Sequence, residues 1–170
     1  MNFTRLAPAI LFLALAACMN AEPSAPAAIP VGSRDTGPGP DDADGLMSAM
    51  MFGRVCVDTA PSMARARQEI ASLPFVQHPE TGTYYHTNVN LSFKLGTGGD
   101  RSCSMVFGTR EEAGGLAILF AATTGASSIE LDPDRGSAAA NLPNGGRFSF
   151  RPGTRHGGLT FYNAYISYRP

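Results

Sequence analysis

The chain has 170 residues and a formal net charge of −1, with 13 Lys and Arg against 14 Asp and Glu. That balance offers no whole-chain field for nucleic acid, and the length leaves room for one domain once a leader is set aside. There is no tryptophan and Lys94 is the only lysine, so cationic chemistry falls almost entirely to arginine.

Met1–Arg5 is a short start carrying Arg5, Leu6–Ala17 is an apolar run, and Ala16 and Ala17 are small residues at its end. These are the three parts of a secretory signal. At 1.5 Å per residue the run covers about 18 Å of helix, too little for roughly 30 Å of hydrocarbon. Leu15-Ala16-Ala17-Cys18 resembles the lipobox of bacterial lipoprotein signal peptides. The resemblance implies that residues 1–17 are removed, that the Cys18 thiol carries a diacylglycerol, and that the freed amine is acylated. Two or more chains hold a protein firmly where one holds it marginally. Met19 follows the cysteine in place of the aspartate that commonly retains such proteins in the inner membrane. The expected location is the cell envelope, at the outer membrane facing the periplasm, with the membrane itself as first partner.

Residues 18–45 are rich in Pro, Ala, Gly and Asp without hydrophobic period, the composition of a linker with a reach of about 30 Å. Asp41, Asp42 and Asp44 do not match a calcium loop, because no register using Gly45 puts a glutamate at the twelfth position. One domain is expected over 46–170. Leu46–Phe52 has helical spacing running toward Cys56, with Asp44 as its cap. A second helix is expected with Thr59 at the cap and Pro61 in its first turn. Met63, Ala66, Ile70 and Leu73 would be buried, and Arg65, Arg67 and Glu69 would point away.

Phe75-Val76 reads as a short strand start, and Pro79–Gly82 as a turn. From Tyr85 to Leu95 the residues alternate, with Tyr85, Thr87, Val89, Leu91, Phe93 and Leu95 on one face and His86, Asn88, Asn90, Ser92 and Lys94 on the other. Gly96–Asp100 then turns the chain into a strand over 102–107 that points Cys103, Met105 and Phe107 the same way. Thr109-Arg110-Glu111-Glu112 has the form of a capping box. It would open a helix burying Ala113, Leu116, Ala117 and Phe120, with Gly114 and Gly115 admitting a close neighbour. Residues 127–146 read as loop. Two strands close the chain, Arg147–Arg151 and Leu159–Tyr168, the second with either Phe161 and Tyr165 or Tyr162, Ala164 and Ile166 inward.

The expected fold is therefore α+β: an antiparallel sheet of about four or five strands with helices packed on one face. With Cys18 assigned to lipid, Cys56 and Cys103 most simply pair as a disulfide in an oxidising compartment, worth about 4 kcal/mol in the chain-entropy account. The arrangement Cys56…Pro61…Cys103-Ser104-Met105-Val106-Phe107 resembles small uncharacterised secreted proteins of proteobacteria and implies no activity.

Few residues point to chemistry. Gly96–Ser102 lacks the Lys-Ser/Thr pair of a phosphate loop, and neither a Gly-x-Ser-x-Gly elbow nor His-Glu-x-x-His occurs. His78, His86 and His156 are not at helical ligand spacing, so no metal site and no cofactor is expected. From Arg147 onward the chain carries Arg147, Arg151, Arg155 and Arg169 and no acid. Such a strip suits an anionic glycan, a lipid headgroup or an envelope protein. The leading expectation is a non-catalytic binding or accessory domain. The alternative is an envelope hydrolase with a site on the polar strand face around His86.

Overall fold

The computed structural model describes residues 41–168. The expected signal peptide, Cys18, residues 19–40 of the linker and Arg169 lie outside the described residues. Eight antiparallel strands form one sheet in the order β1-β2-β3-β4-β8-β7-β6-β5. The strands are β1 (Phe75–Gln77), β2 (Tyr84–His86), β3 (Leu91–Leu95), β4 (Arg101–Thr109), β5 (Ile129–Asp132), β6 (Ser137–Asn141), β7 (Gly146–His156) and β8 (Leu159–Tyr168). Three helices, α1 (Gly45–Phe52), α2 (Met63–Ala71) and α3 (Ala113–Thr123), share one buried core with the sheet. The α+β class and the single antiparallel sheet stand. Four or five strands do not: among the described residues there are eight.

Three strands were hidden in the sequence. The alternating run from Tyr85 is two strands, because the chain turns through residues 87–90 and β3 folds back on β2 with Tyr84 opposite Phe93 and Tyr85 opposite Ser92. Four turn residues invert the parity. Tyr84 therefore packs against the core, whereas Tyr85 is exposed. Residues 127–146 hold β5 and β6, paired across a Pro133–Gly136 turn in which Gly136 adopts φ +62°. Alanines 138 and 140 are weak strand formers, yet they are buried, in a sheet region that packs against α3.

The helices begin differently from expectation in two places. Asp44 caps α1 as expected, accepting from the Met47 amide at 2.7 Å. For α2 the cap is Ser62, which accepts from the Arg65 amide, and Pro61 stands before the helix after a cis peptide bond. Thr59 instead donates its hydroxyl to the Val55 carbonyl. The capping box at Thr109 does not form: Thr109 ends β4, and Glu112 stands at the cap of α3 without a side-chain bond. Gly114 does meet a neighbour, since a Cβ there would lie 3.2 Å from the Pro133 carbonyl oxygen, but Gly115 faces open space.

The folded body starts before Leu46. Asp41 bridges Val89, the Ala43 amide donates to the Gly108 carbonyl at 2.8 Å, and Asp42 pairs with Arg110 at 2.9 Å. These attachments are backbone bonds and one ion pair, which composition does not reveal.

Inward side chains fill one aromatic core. Phe107 stacks on Phe120 and Tyr162 with centroids 5.2 and 5.5 Å apart, and Phe120 stacks on Phe150 at 4.8 Å. The buried set on β8 is Tyr162, Ala164 and Ile166, which resolves the parity of that strand and leaves Tyr165 outside. After Phe52 the helix runs on through a π-helical turn, Gly53–Val57, in which the Asp58 amide donates to the Gly53 carbonyl. That turn carries Cys56 to Cys103, with Cα atoms 5.6 Å apart in a disulfide.

Candidate functional site

With the helices packed on the core side, among the described residues the other face of the sheet is left open. It is read across the strands from the register. Val76, Tyr85, Ser92, Val106, Asn163 and Arg151 form one row, and Lys94, Ser104, Tyr165, Ser149 and Ala139 the next. Ser102, Ser167, Arg147 and Asn141 form a third. This is a platform of hydroxyls and amides with two exposed tyrosines, Tyr85 and Tyr165, crossed by three cations. Among the described residues Lys94, Arg147 and Arg151 make no ion pair.

Arg155, expected in the same strip, is elsewhere. A bulge between Pro152 and Arg155 shifts the β7–β8 register, so Arg155 pairs with Thr160, on the parity of buried Tyr162. Its Nε donates to the Thr160 hydroxyl at 3.0 Å, and the side chain borders a pocket shared with Glu111, Glu112 and Tyr162. Burial raises the Tyr162 phenol above its ordinary value, opposed by its bond with Thr160 and by the charge of Arg155. Arg147 and Arg151 thus share a face, and Arg155 lies on the helix side. An extra residue in a strand reverses every later side chain, and no motif in Pro152–Gly158 marks where it falls.

A cleft of about 480 Å³ opens at one end of the platform. It forms because β2 joins β3 only from Tyr84 onward, opposite Phe93, while β3 continues through Lys94 and Leu95. The tip of the β1–β2 hairpin and the β3–β4 loop form its walls, and Arg67, Tyr84, Lys94, Asp100, Ser104 and Tyr165 line it. Arg67 reaches from α2 to donate to the Gly96 carbonyl at 3.0 Å, and Asp100 accepts from the Ser102 hydroxyl at 2.9 Å. These constraints leave the Lys94 ammonium as the cleft's uncommitted charge. Such a set can hydrogen-bond a polyhydroxylated or anionic ligand. The sequence carried only a partial sign of it, the polar face of the strand ending at Lys94.

His86 is occupied structurally. Its Nδ1 accepts from the amides of Asn88 and Val89 at 3.2 and 3.3 Å, closing the turn between β2 and β3. Its ring packs edge-on against Phe75 at 5.1 Å, and desolvation lowers its pKa below the ordinary value of 6.5. It shares a face with Tyr84, opposite the polar face on which the sequence reading put it. No group of His, Cys, Asp and Glu arranged to hold a metal ion occurs among the described residues. Comparison with protein-family models, with curated proteins and with solved structures finds no match for this chain.

Proposed function

We propose that this is a lipid-anchored protein of the bacterial cell envelope, held by Cys18 at the outer membrane and facing the periplasm. Its domain is a non-catalytic binding module that takes an anionic partner, an acidic glycan above all, on the open face of the sheet. The observation that carries this reading is that face itself: a polar platform with Lys94, Arg147 and Arg151 unpaired among the described residues. Hydroxyls, amides and arginine are the groups that bind carboxylated or phosphorylated sugars, by charge-assisted bonds to the anion and ordinary bonds to the ring hydroxyls. The anchor half of the reading rests on Leu15–Cys18.

Two measurements test it. Inhibition of lipoprotein signal cleavage by globomycin should accumulate uncut precursor, and normal maturation under the inhibitor would sink the anchor. Electrophoresis through gels carrying an acidic glycan should retard the domain more than gels carrying a neutral one. Arg147→Ser with Arg151→Ser should reduce the difference severalfold, and a domain that migrates alike in both gels is not such a module.

A further inference from the structure

We infer that the outer side of the α1–α3 layer seats the domain on the bilayer, against the headgroup–acyl boundary of a zwitterionic membrane, with the polar sheet face turned away. This inference rests on the lipidation of Cys18 proposed above.

The first observation is an inverted polarity. A surface helix ordinarily buries its apolar stripe and shows its polar one. In α1 the only polar side chain, Ser48, is wholly buried, while Leu46 and Met50, one turn apart, are 56% and 65% exposed. In α3 every residue but Thr123 is apolar or glycine, and Ile118 is 54% exposed. The two helices pack along one another, Phe52 against Phe120 and Gly45 against Leu116, so these side chains belong to one layer. Gly115, Ile118, Leu119 and Ala122 border a groove of about 650 Å³ on it, with Glu111 and Glu112 also in its lining. The same core is also covered by α2, which behaves ordinarily: Ala66 and Ile70 are inside, and Arg65, Arg67 and Gln68 outside. Among the three helices, outward apolarity is therefore confined to α1 and α3, and it is of the kind that marks an interaction surface.

The second observation is where the chain enters. Its described part begins at Asp41, four residues before α1, so residues 19–40 separate Cys18 from the start of the apolar layer. Twenty-two residues of this composition reach about 25 Å. A lipid on Cys18 would hold a bilayer at about that root-mean-square distance from Asp41, an effective concentration no diffusing partner attains.

Charge selects the lipid. Neither α1 nor α3 carries a Lys or Arg, and the neighbouring cations Arg54 and Arg110 are paired with Glu69 and Asp42. Asp44, Glu111 and Glu112 stand near the helix starts. Membrane-surface helices that seek anionic lipid carry basic flanks, and these do not.

The chain contains no tryptophan, so a single one reports without background. Ile118→Trp and, on the opposite face, Tyr165→Trp are placed in the full processed chain, whose mass is checked for lipid on Cys18. Both are reconstituted into phosphatidylcholine vesicles with brominated acyl chains. The expected result is a blue-shifted emission and severalfold stronger quenching for Ile118→Trp than for Tyr165→Trp. An unmodified mass overturns the anchor and this inference together. A lipidated chain whose Ile118→Trp emission stays water-like, or is quenched no more than that of Tyr165→Trp, overturns the seating alone. Both positions are exposed, so neither variant threatens the core.

Discussion

Cys56 meets Cys103 because a wide turn continues α1 by five residues and brings the thiol to the first part of β4. The bond spans 47 residues of sequence. Closing a loop of that length withdraws about 4 kcal/mol of denatured-state freedom in the chain-entropy account. Cys56→Ala with Cys103→Ala should accordingly lower the midpoint of thermal unfolding by roughly 15 °C, measured by circular dichroism. A shift of only a few degrees would mean the buried sulfurs contribute packing and little more. The pairing was legible because, of three cysteines, Cys18 stands in a lipobox-like Leu15–Cys18 and leaves a single pair. His86 was not legible in the same way. A histidine on an alternating strand looks like a surface group, and only the turn shows its Nδ1 accepting two amides. Desolvation holds that imidazole below its ordinary value of 6.5, so as pH falls the unfolded chain takes the proton first. The contribution is full above pH 6.5 and is lost below it. Denaturant midpoints across that range should decline for the native chain and decline less for His86→Asn, which keeps an acceptor without the titration; equal slopes would remove His86 from the account.

The elements divide into those announced by periodicity and those concealed by it. α2, β4 and β8 carry long apolar stripes, and their existence was readable. β2 and β3 were fused in the reading because alternation runs unbroken through Thr87-Asn88-Val89-Asn90, although two asparagines in four residues are a turn signal that a period count passes over. β5 and β6 were missed because Pro133 and Gly136 looked like loop, and because strands covered by a close helix use alanine where open strands use valine or isoleucine. Glycine carries the same lesson at α1 and α3. A methyl at Gly45 would fall on the Leu116 side chain, where a helix start docks tightly, whereas one at Gly115 meets nothing within 4 Å. Gly45→Ala should therefore cost about 1–3 kcal/mol through overpacking. Gly115→Ala should gain about 0.5–1 kcal/mol by removing backbone freedom from a helix interior. Urea unfolding of both variants decides the matter, and a neutral Gly45→Ala would show that the helices slide apart at little cost.

At the scale of the molecule, one sheet separates two unlike surfaces: an apolar helical layer on one side, a polar strand platform on the other. Composition averages them to a net charge of −1, which is why no whole-chain property points to either. The arginines show what that averaging hides. As a sequence, Arg147, Arg151 and Arg155 form one evenly spaced strip. In the fold the bulge between Pro152 and Arg155 sends the third to the opposite side, against Thr160 and near Glu111. A partner on the platform can then reach Arg147 and Arg151 together but not Arg155, whereas a partner drawn by net charge alone would feel all three equally. Exposed charge contacts are worth about 0.2–1 kcal/mol each and fade as salt shortens the Debye length. Replacing Arg147 and Arg151 by Ser should weaken glycan binding severalfold at low salt and flatten its salt dependence, and Arg155→Ser should leave both unchanged. Titrations of the three variants at two ionic strengths measure this. An Arg155→Ser loss as large as that at Arg151 would move the contact off the sheet face, because no single flat ligand surface can touch both sides of a strand layer.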